Sequence, residues 1–243
     1  MVTNYLSILS KNLSKEIRVA VYGHYGFVLL VFPANSDDYK ESEENGLIQA
    51  IQPSIEKGKC RVVTFDTINQ SSWLNNDLSN EEKSDMHLKF NNFLVDELVP
   101  FVFKESGGLL PIITCGANVG AYHAANSYFR RPDLFFGTIA MSGFFNIEYL
   151  TNGYFDTNCY FNSPIHYLPL LEDSYWLSFL RSNHHIYILT STHPEENQSE
   201  SYYLTNILTN KEIPHNLDIW GTERAPGYET WNAMLSKIID VYL

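Results

Sequence analysis

The stretch Leu109 to Phe129 changes character within a few residues, and that change constrains the fold more than any other part of the chain. A short apolar run, Leu109 to Ile113, leads through Thr114-Cys115 into Gly116-Ala117-Asn118-Val119-Gly120, and an alanine-rich helical stretch, Ala121 to Phe129, follows at once. A strand that becomes a helix so abruptly brings backbones close together. The two glycines stand where a side chain would clash with the tight turn. The helix must then pack back on the sheet its strand belongs to, as in a parallel crossover.

The same alternation recurs along the chain. Ile17 to Tyr22 has strand character and Gly23-His24-Tyr25-Gly26 is the turn after it; Phe27 to Pro33 is continuously apolar, as expected of a strand buried on both faces. Leu47 to Lys57 has helical spacing and Cys60 to Asp66 is another buried strand. Asn80-Glu81-Glu82 opens an amphipathic helix that runs through Phe103 and ends near Gly107-Gly108. Leu134 to Met141, His185 to Thr190 and Asn216 to Trp220 are later strands, with helices over Ser199 to Lys211 and Trp231 to Leu243. From Phe27 onward this predicts an α/β fold with a mostly parallel sheet covered on both faces. Tyr149 to Tyr175, rich in Asn, Tyr and Pro, interrupts the pattern and is expected to pass over the strand ends, where such folds place their sites.

Bulk properties narrow the function classes. The 243 residues include 44% hydrophobic side chains and no linker-like tract, so one domain over residues 1–243 is expected. The formal charge of −12 argues against nucleic acid and anionic membrane as partners. No apolar run approaches the roughly 20 residues that span a bilayer, and Met1 to Ser14 lacks the basic end and apolar core of a signal peptide. Three widely spaced cysteines, Cys60, Cys115 and Cys159, suit free thiols in a reducing compartment, so a soluble cytoplasmic protein is expected. No metal is expected: the cysteines lack ligand spacing, and His184 and His185, adjacent on a strand, face opposite ways. The acidic loop Ser36 to Asn45 lacks the alternating carboxylates of a calcium loop and fits a solvated face.

Several separate stretches carry a resemblance. They are Val31-Phe32-Pro33 with its following loop, Asp66-Thr67, Ser71-Ser72-Trp73-Leu74-Asn75, Asp96-Glu97-Leu98-Val99-Pro100 and Gly120-Ala121-Tyr122-His123-Ala124. Met141-Ser142-Gly143-Phe144, Asn158-Cys159-Tyr160-Phe161-Asn162-Ser163-Pro164, and Trp220-Gly221 with Trp231 complete the set. Together they resemble the esterase-D-like group of α/β-hydrolases, small bacterial acyl hydrolases, over nearly the whole chain. The resemblance implies a single-domain α/β-hydrolase fold, no cofactor, and a small ester, acyl or carboxylate ligand. It also implies carboxylesterase activity through a Ser, an acid and a His, with the Ser raised on the strained turn between strand and helix.

The departures from that pattern matter most. Asn118 stands where the family carries its Ser, and an amide is not a nucleophile that a neighbouring His can activate. Matching Trp220 and Trp231 without a gap puts Pro226 at the position of the family's His. Glu195 and Glu196 are the nearest candidates for the acid, which follows the strand His185 to Thr190. Loss of Ser or His alone removes most of the catalysis, so the chain is expected to be a pseudoenzyme acting by ligand binding or assembly. The expected ligand-binding set is Asn35, Ser36, Asn118 and Val119. In it, the N–H of Val119 and one from Asn35 or Ser36 form a surviving oxyanion hole.

Asn118 has two readings, a residue kept because Asn tolerates left-handed backbone angles or an amide that faces a ligand. His123 and His215 are expected to be structural, and Cys115 to be buried and inert. Ser142 is expected near the pocket. Two rival functions stay open. One is an active hydrolase with a relocated apparatus, for instance Ser142 with His24 or His193. The other is a purely structural subunit of a homo- or hetero-oligomer.

Overall fold

In the computed structural model, which describes residues 1–182 and 184–243, eight strands form one sheet. They are β1 (Thr3–Ser10), β2 (Lys15–Tyr22), β3 (Phe27–Phe32), β4 (Cys60–Phe65), β5 (Ile112–Ala117), β6 (Gly137–Met141), β7 (His185–Ser191) and β8 (Asn216–Trp220). Their order is β1-β2-β4-β3-β5-β6-β7-β8. The hairpin β1–β2 joins β4 antiparallel, and every pair from β4 across to β8 is parallel.

Alternation along β3 divides the core. Val28, Leu30 and Phe32 face one layer, with Phe90 and Phe93 of the helix Asn80–Phe93 and Ala121, Ala124 and Tyr128 of the helix Val119–Arg130. Leu29 and Val31 face the other, against Leu47, Ile48 and Ile55 and against Trp231, Leu235 and Ile238 of the helix Tyr228–Val241. The sheet is therefore covered on both faces, as the apolar strands require.

Several boundaries differ from the sequence-based expectation. β1 was not foreseen: its residues alternate only weakly, and Leu9 and Tyr5 stay exposed on an edge strand. β5 starts at Ile112 rather than Leu109, because Leu109 lies exposed between the glycines that stop the preceding helix and Pro111. The strand takes in Thr114 to Ala117, so the helix begins directly at Val119. Leu47 to Lys57 is two short helices, Leu47–Ala50 and Gln52–Glu56, broken at Ile51 ahead of Pro53. The long helix starts with a capping box between Ser79 and Glu82, widens into a π-turn at Leu94–Leu98 and continues as Val99–Ser106. Tyr149 to Tyr175 does interrupt the alternation, as short helices Thr157–Phe161 and Pro164–Tyr167 between longer loops.

Candidate functional site

The turn between β5 and the helix Val119–Arg130 has the strained geometry expected from its glycines. A Cβ on Gly116 would lie 2.2 Å from the Gly120 carbonyl oxygen, and one on Gly120 would lie 2.5 Å from that of Phe32. Only glycine allows strand, turn and neighbouring strand to approach so closely. Between them Asn118 takes φ 50° and ψ −118°. That ψ is far from the left-handed basin near +45° that Asn tolerates. Asn118 is therefore a strained-turn residue with positive φ, as expected, but its ψ lies outside the left-handed basin, so the backbone is strained for any side chain and costs of order 1–3 kcal/mol. Hydrogen bonds hold it from both sides, the Asn118 N–H to Met141 O at 3.0 Å and its carbonyl from the Ala121 N–H at 3.1 Å.

The loop after β3, expected to supply oxyanion donors, is present, and its N–H groups are in use. The carboxylate of Glu41, only 8% exposed, accepts from the Asn35 N–H at 3.0 Å, from the Ser36 N–H at 2.7 Å and from the Ser36 hydroxyl. The Tyr228 hydroxyl donates to the same carboxylate at 2.6 Å, and burial beside that charge pushes the Tyr228 phenol far up. The Val119 N–H donates to Ala34 O at 3.2 Å. The expectation that Val119 and one of Asn35 or Ser36 offer free donors to the pocket is corrected: the N–H groups of both Asn35 and Ser36 are bonded to the Glu41 carboxylate, and that of Val119 to a carbonyl. Asn118 Nδ2 also donates to Asn35 Oδ1 at 2.7 Å, tying the elbow to the loop.

Glu41 escaped sequence reasoning because it lies in a run of acids that suggests a solvated face. That expectation also needs correction, for Glu43 accepts from Tyr22 at 3.0 Å and Asp37 from the Gln70 N–H at 3.0 Å. The available signal was position: Glu41 is five residues beyond Ser36, within reach of N–H groups just past a strand end.

A cavity of about 640 Å³ opens at the C-terminal ends of the strands, lined by Asn35, Asn118, Ser142, Glu195, Glu196, Pro226 and Trp231, among others. Asn118 and Pro226 thus face one space. Ser36 and Val119, expected in the ligand-binding set, are not among its lining residues. Glu195 is exposed and its N–H donates to His193 Nδ1 at 3.2 Å, whereas Glu196 is half-buried and accepts from Thr190 Oγ1 at 3.1 Å. Burial holds the Glu196 carboxyl above its usual range, against the lowering influence of the Ser142 and Thr190 hydroxyls and the charge of His193. A carboxylate in this setting would ordinarily orient an imidazole, and Pro226 offers none.

Ser142 follows β6 with φ 51° and accepts from Trp231 Nε1 at 3.0 Å. None of the described residues lining the cavity is a His, Lys or Arg. His24 follows β2 beside the first residues of β4, at the opposite end of the sheet, which rules out its pairing with Ser142.

The remaining candidates are structural. His123 is buried, its Nε2 is 2.6 Å from Asn69 Oδ1, and it stacks on His87; burial lowers its pKa to about 3. His215 Nδ1 is 2.9 Å from Ile213 O, and His184 Nδ1 is 3.0 Å from the Tyr128 hydroxyl. Cys115 is buried in β5, where burial pushes its thiol up. Among the described residues no group of three His, Cys, Asp or Glu side chains is placed to hold a metal, and no helix is long and apolar enough to cross a membrane.

No family model matches the sequence, and no curated protein is detectably similar to it. Solved structures, in contrast, are similar over nearly its whole length. A ferulic acid esterase superposes with a TM-score of 0.73 at 15% identity, over 98% of this chain and 96% of its own. The S-formylglutathione hydrolase of Agrobacterium tumefaciens gives 0.72 at 12% identity, over 97% and 92%. MPT51 of Mycobacterium tuberculosis gives 0.68 at 20% identity, over 98% and 97%. The chain has the α/β-hydrolase fold that these structures represent.

Proposed function

We propose that this chain is a catalytically silent relative of the esterases, a single-domain cytoplasmic protein that holds a small ligand in the cavity over its elbow without cleaving it. The observation that carries the reading is Asn118, which occupies the strained elbow position and spends its amide on Asn35. A hydrolase of this fold needs an activated oxygen there, a His above it and free donors for the developing oxyanion. Asn118, Pro226 and Glu41 remove the three in turn. The cavity walls keep aromatic surface from Phe144, Tyr149 and Trp231, and the retained backbone strain is more easily understood at a site still in use. Carboxylates at Glu195 and Glu196, with Glu41 behind, favour a neutral ester or acyl group or an amine over a free carboxylate.

Ser142 supports the rival reading of a relocated hydrolase only by its position. Its oxygen is bonded by Trp231 and borders Glu196, and near neutral pH a carboxylate is a poorer base for an alcohol than an imidazole. The test is turnover of short-chain nitrophenyl esters by the purified protein. No rate above the buffer background is expected, and saturable turnover with a defined kcat would refute the proposal.

A further inference from the structure

The helix Val119–Arg130 carries Asn118 at one end and a second cavity at the other, about 18 Å away along its axis. This cavity, of about 230 Å³, is lined by Arg130, Arg131, Ser127, Asn91, Asn92 and the π-turn residues Leu94 to Asp96, among others. The two arginines have different surroundings. Arg131 is held by Asp133, with Nε to Oδ1 and NH2 to Oδ2 both at 2.8 Å, and Asp96 adds to its negative surroundings. Arg130 forms no ion pair among the described residues.

The hydrogen bond of the Arg130 guanidinium runs from NH1 to Asn162 Oδ1 at 3.1 Å, an oxygen that already accepts from Asn91 and Asn126 at 2.8 Å each. Burial pushes this guanidinium down from its usual pKa, against the opposing influence of Tyr167 and Tyr122. The Arg130 guanidinium is half-buried and has no carboxylate partner among the described residues, although in a chain of net charge −12 carboxylates are abundant elsewhere. The remaining N–H groups of a planar fork match the oxygens of an oxyanion. Ser127 and Asn92 supply further donors on the same wall, more than a two-oxygen carboxylate would use.

We propose that this cavity binds a phosphate group, free or as the end of a small phosphomonoester, on the Arg130 guanidinium with help from Ser127 and Asn92. The site is separate from the cavity over the elbow and does not depend on what that cavity holds. A π-turn in its wall is a local distortion of the kind that recurs at functional sites.

The experiment follows the thermal midpoint and the calorimetric binding of the full chain with inorganic phosphate, glycerol 1-phosphate or acetate. Ionic strength is held constant with chloride. Saturable binding of inorganic phosphate, with acetate at least tenfold weaker, is expected. Tighter binding of glycerol 1-phosphate than of phosphate would identify the monoester as the source of the group. Arg130→Gln removes the charge and Asn92→Asp places a carboxylate on an exposed wall position, and each should weaken binding about tenfold or more. No saturable response to either phosphate compound, or acetate binding as tightly, overturns the proposal. So does unchanged affinity in Arg130→Gln, or in Asn92→Asp should Arg130→Gln not fold.

Discussion

In the proposed function Asn118 and Glu41 silence the elbow in different ways, and their effects can be separated by substitution. Asn118→Ser restores an alcohol, but without a base a Ser hydroxyl stays protonated near neutral pH and attacks poorly. Adding Pro226→His offers a base, yet the donors at Asn35 and Ser36 remain bonded to Glu41 and that at Val119 to Ala34. One oxyanion donor is worth about 10²–10³ in kcat. The single and double variants are therefore expected to stay near background in nitrophenyl acetate turnover. Glu41→Ala on the double variant should raise kcat/KM by about 10²-fold. Family-like rates in Asn118→Ser alone would mean that another His serves as base and that Pro226 is not the lost position.

Between elements, the aromatic cluster under the elbow joins the helix Asn80–Phe93 to the helix Val119–Arg130 through His87, Phe90, Tyr122 and His123. Both histidines are kept neutral by burial, His123 with a pKa near 3 and His87 well below its ordinary value. In the unfolded chain they titrate near 6.5. Their contribution to stability is whole above about pH 6.5 and is lost as the pH falls toward 3, because the unfolded chain takes up protons that the folded one refuses. His123→Gln should make the loss of unfolding free energy between pH 6.5 and 4.5 shallower by up to about 1.4 kcal/mol per pH unit. Equal slopes from urea unfolding of both proteins would contradict this.

Continuous apolar runs such as Phe27 to Phe32 announced buried parallel strands, and Gly116 and Gly120 announced the elbow, because burial and close approach leave few residue types available. The edge strand β1 was illegible, since solvent on one side relaxes its pattern. Asn118 and Pro226 could be placed at the site because they interrupt a motif. The role of Glu41 depends on tertiary contacts with Asn35, Ser36 and Tyr228 that an acidic run does not encode.

For the whole molecule, the strands that build the cavity also bury Cys60 and Cys115, and a separate cluster of Trp73, Tyr122 and Ile147 buries Cys159. Cys60, Cys115 and Cys159 are all fully buried, and burial raises Cys60 and Cys159 to about 11 and Cys115 further. A thiol of that kind is seldom a thiolate at pH 8 and is shielded from reagent. Native protein should therefore leave Ellman's reagent almost unconsumed, while guanidinium-unfolded protein should release all three thiols. Rapid reaction of the native form would show that the core opens far more readily than its packing implies.

The proposed silence of the elbow is tested most directly by the intact mass of the protein after incubation with a fluorophosphonate. That reagent phosphonylates a serine only where a neighbouring base and oxyanion donors activate it. The native chain should keep its unmodified mass, with Ser142 as unreactive as any surface serine despite lining the cavity. A stoichiometric adduct, mapped to Ser142 or to any other serine, would contradict the account.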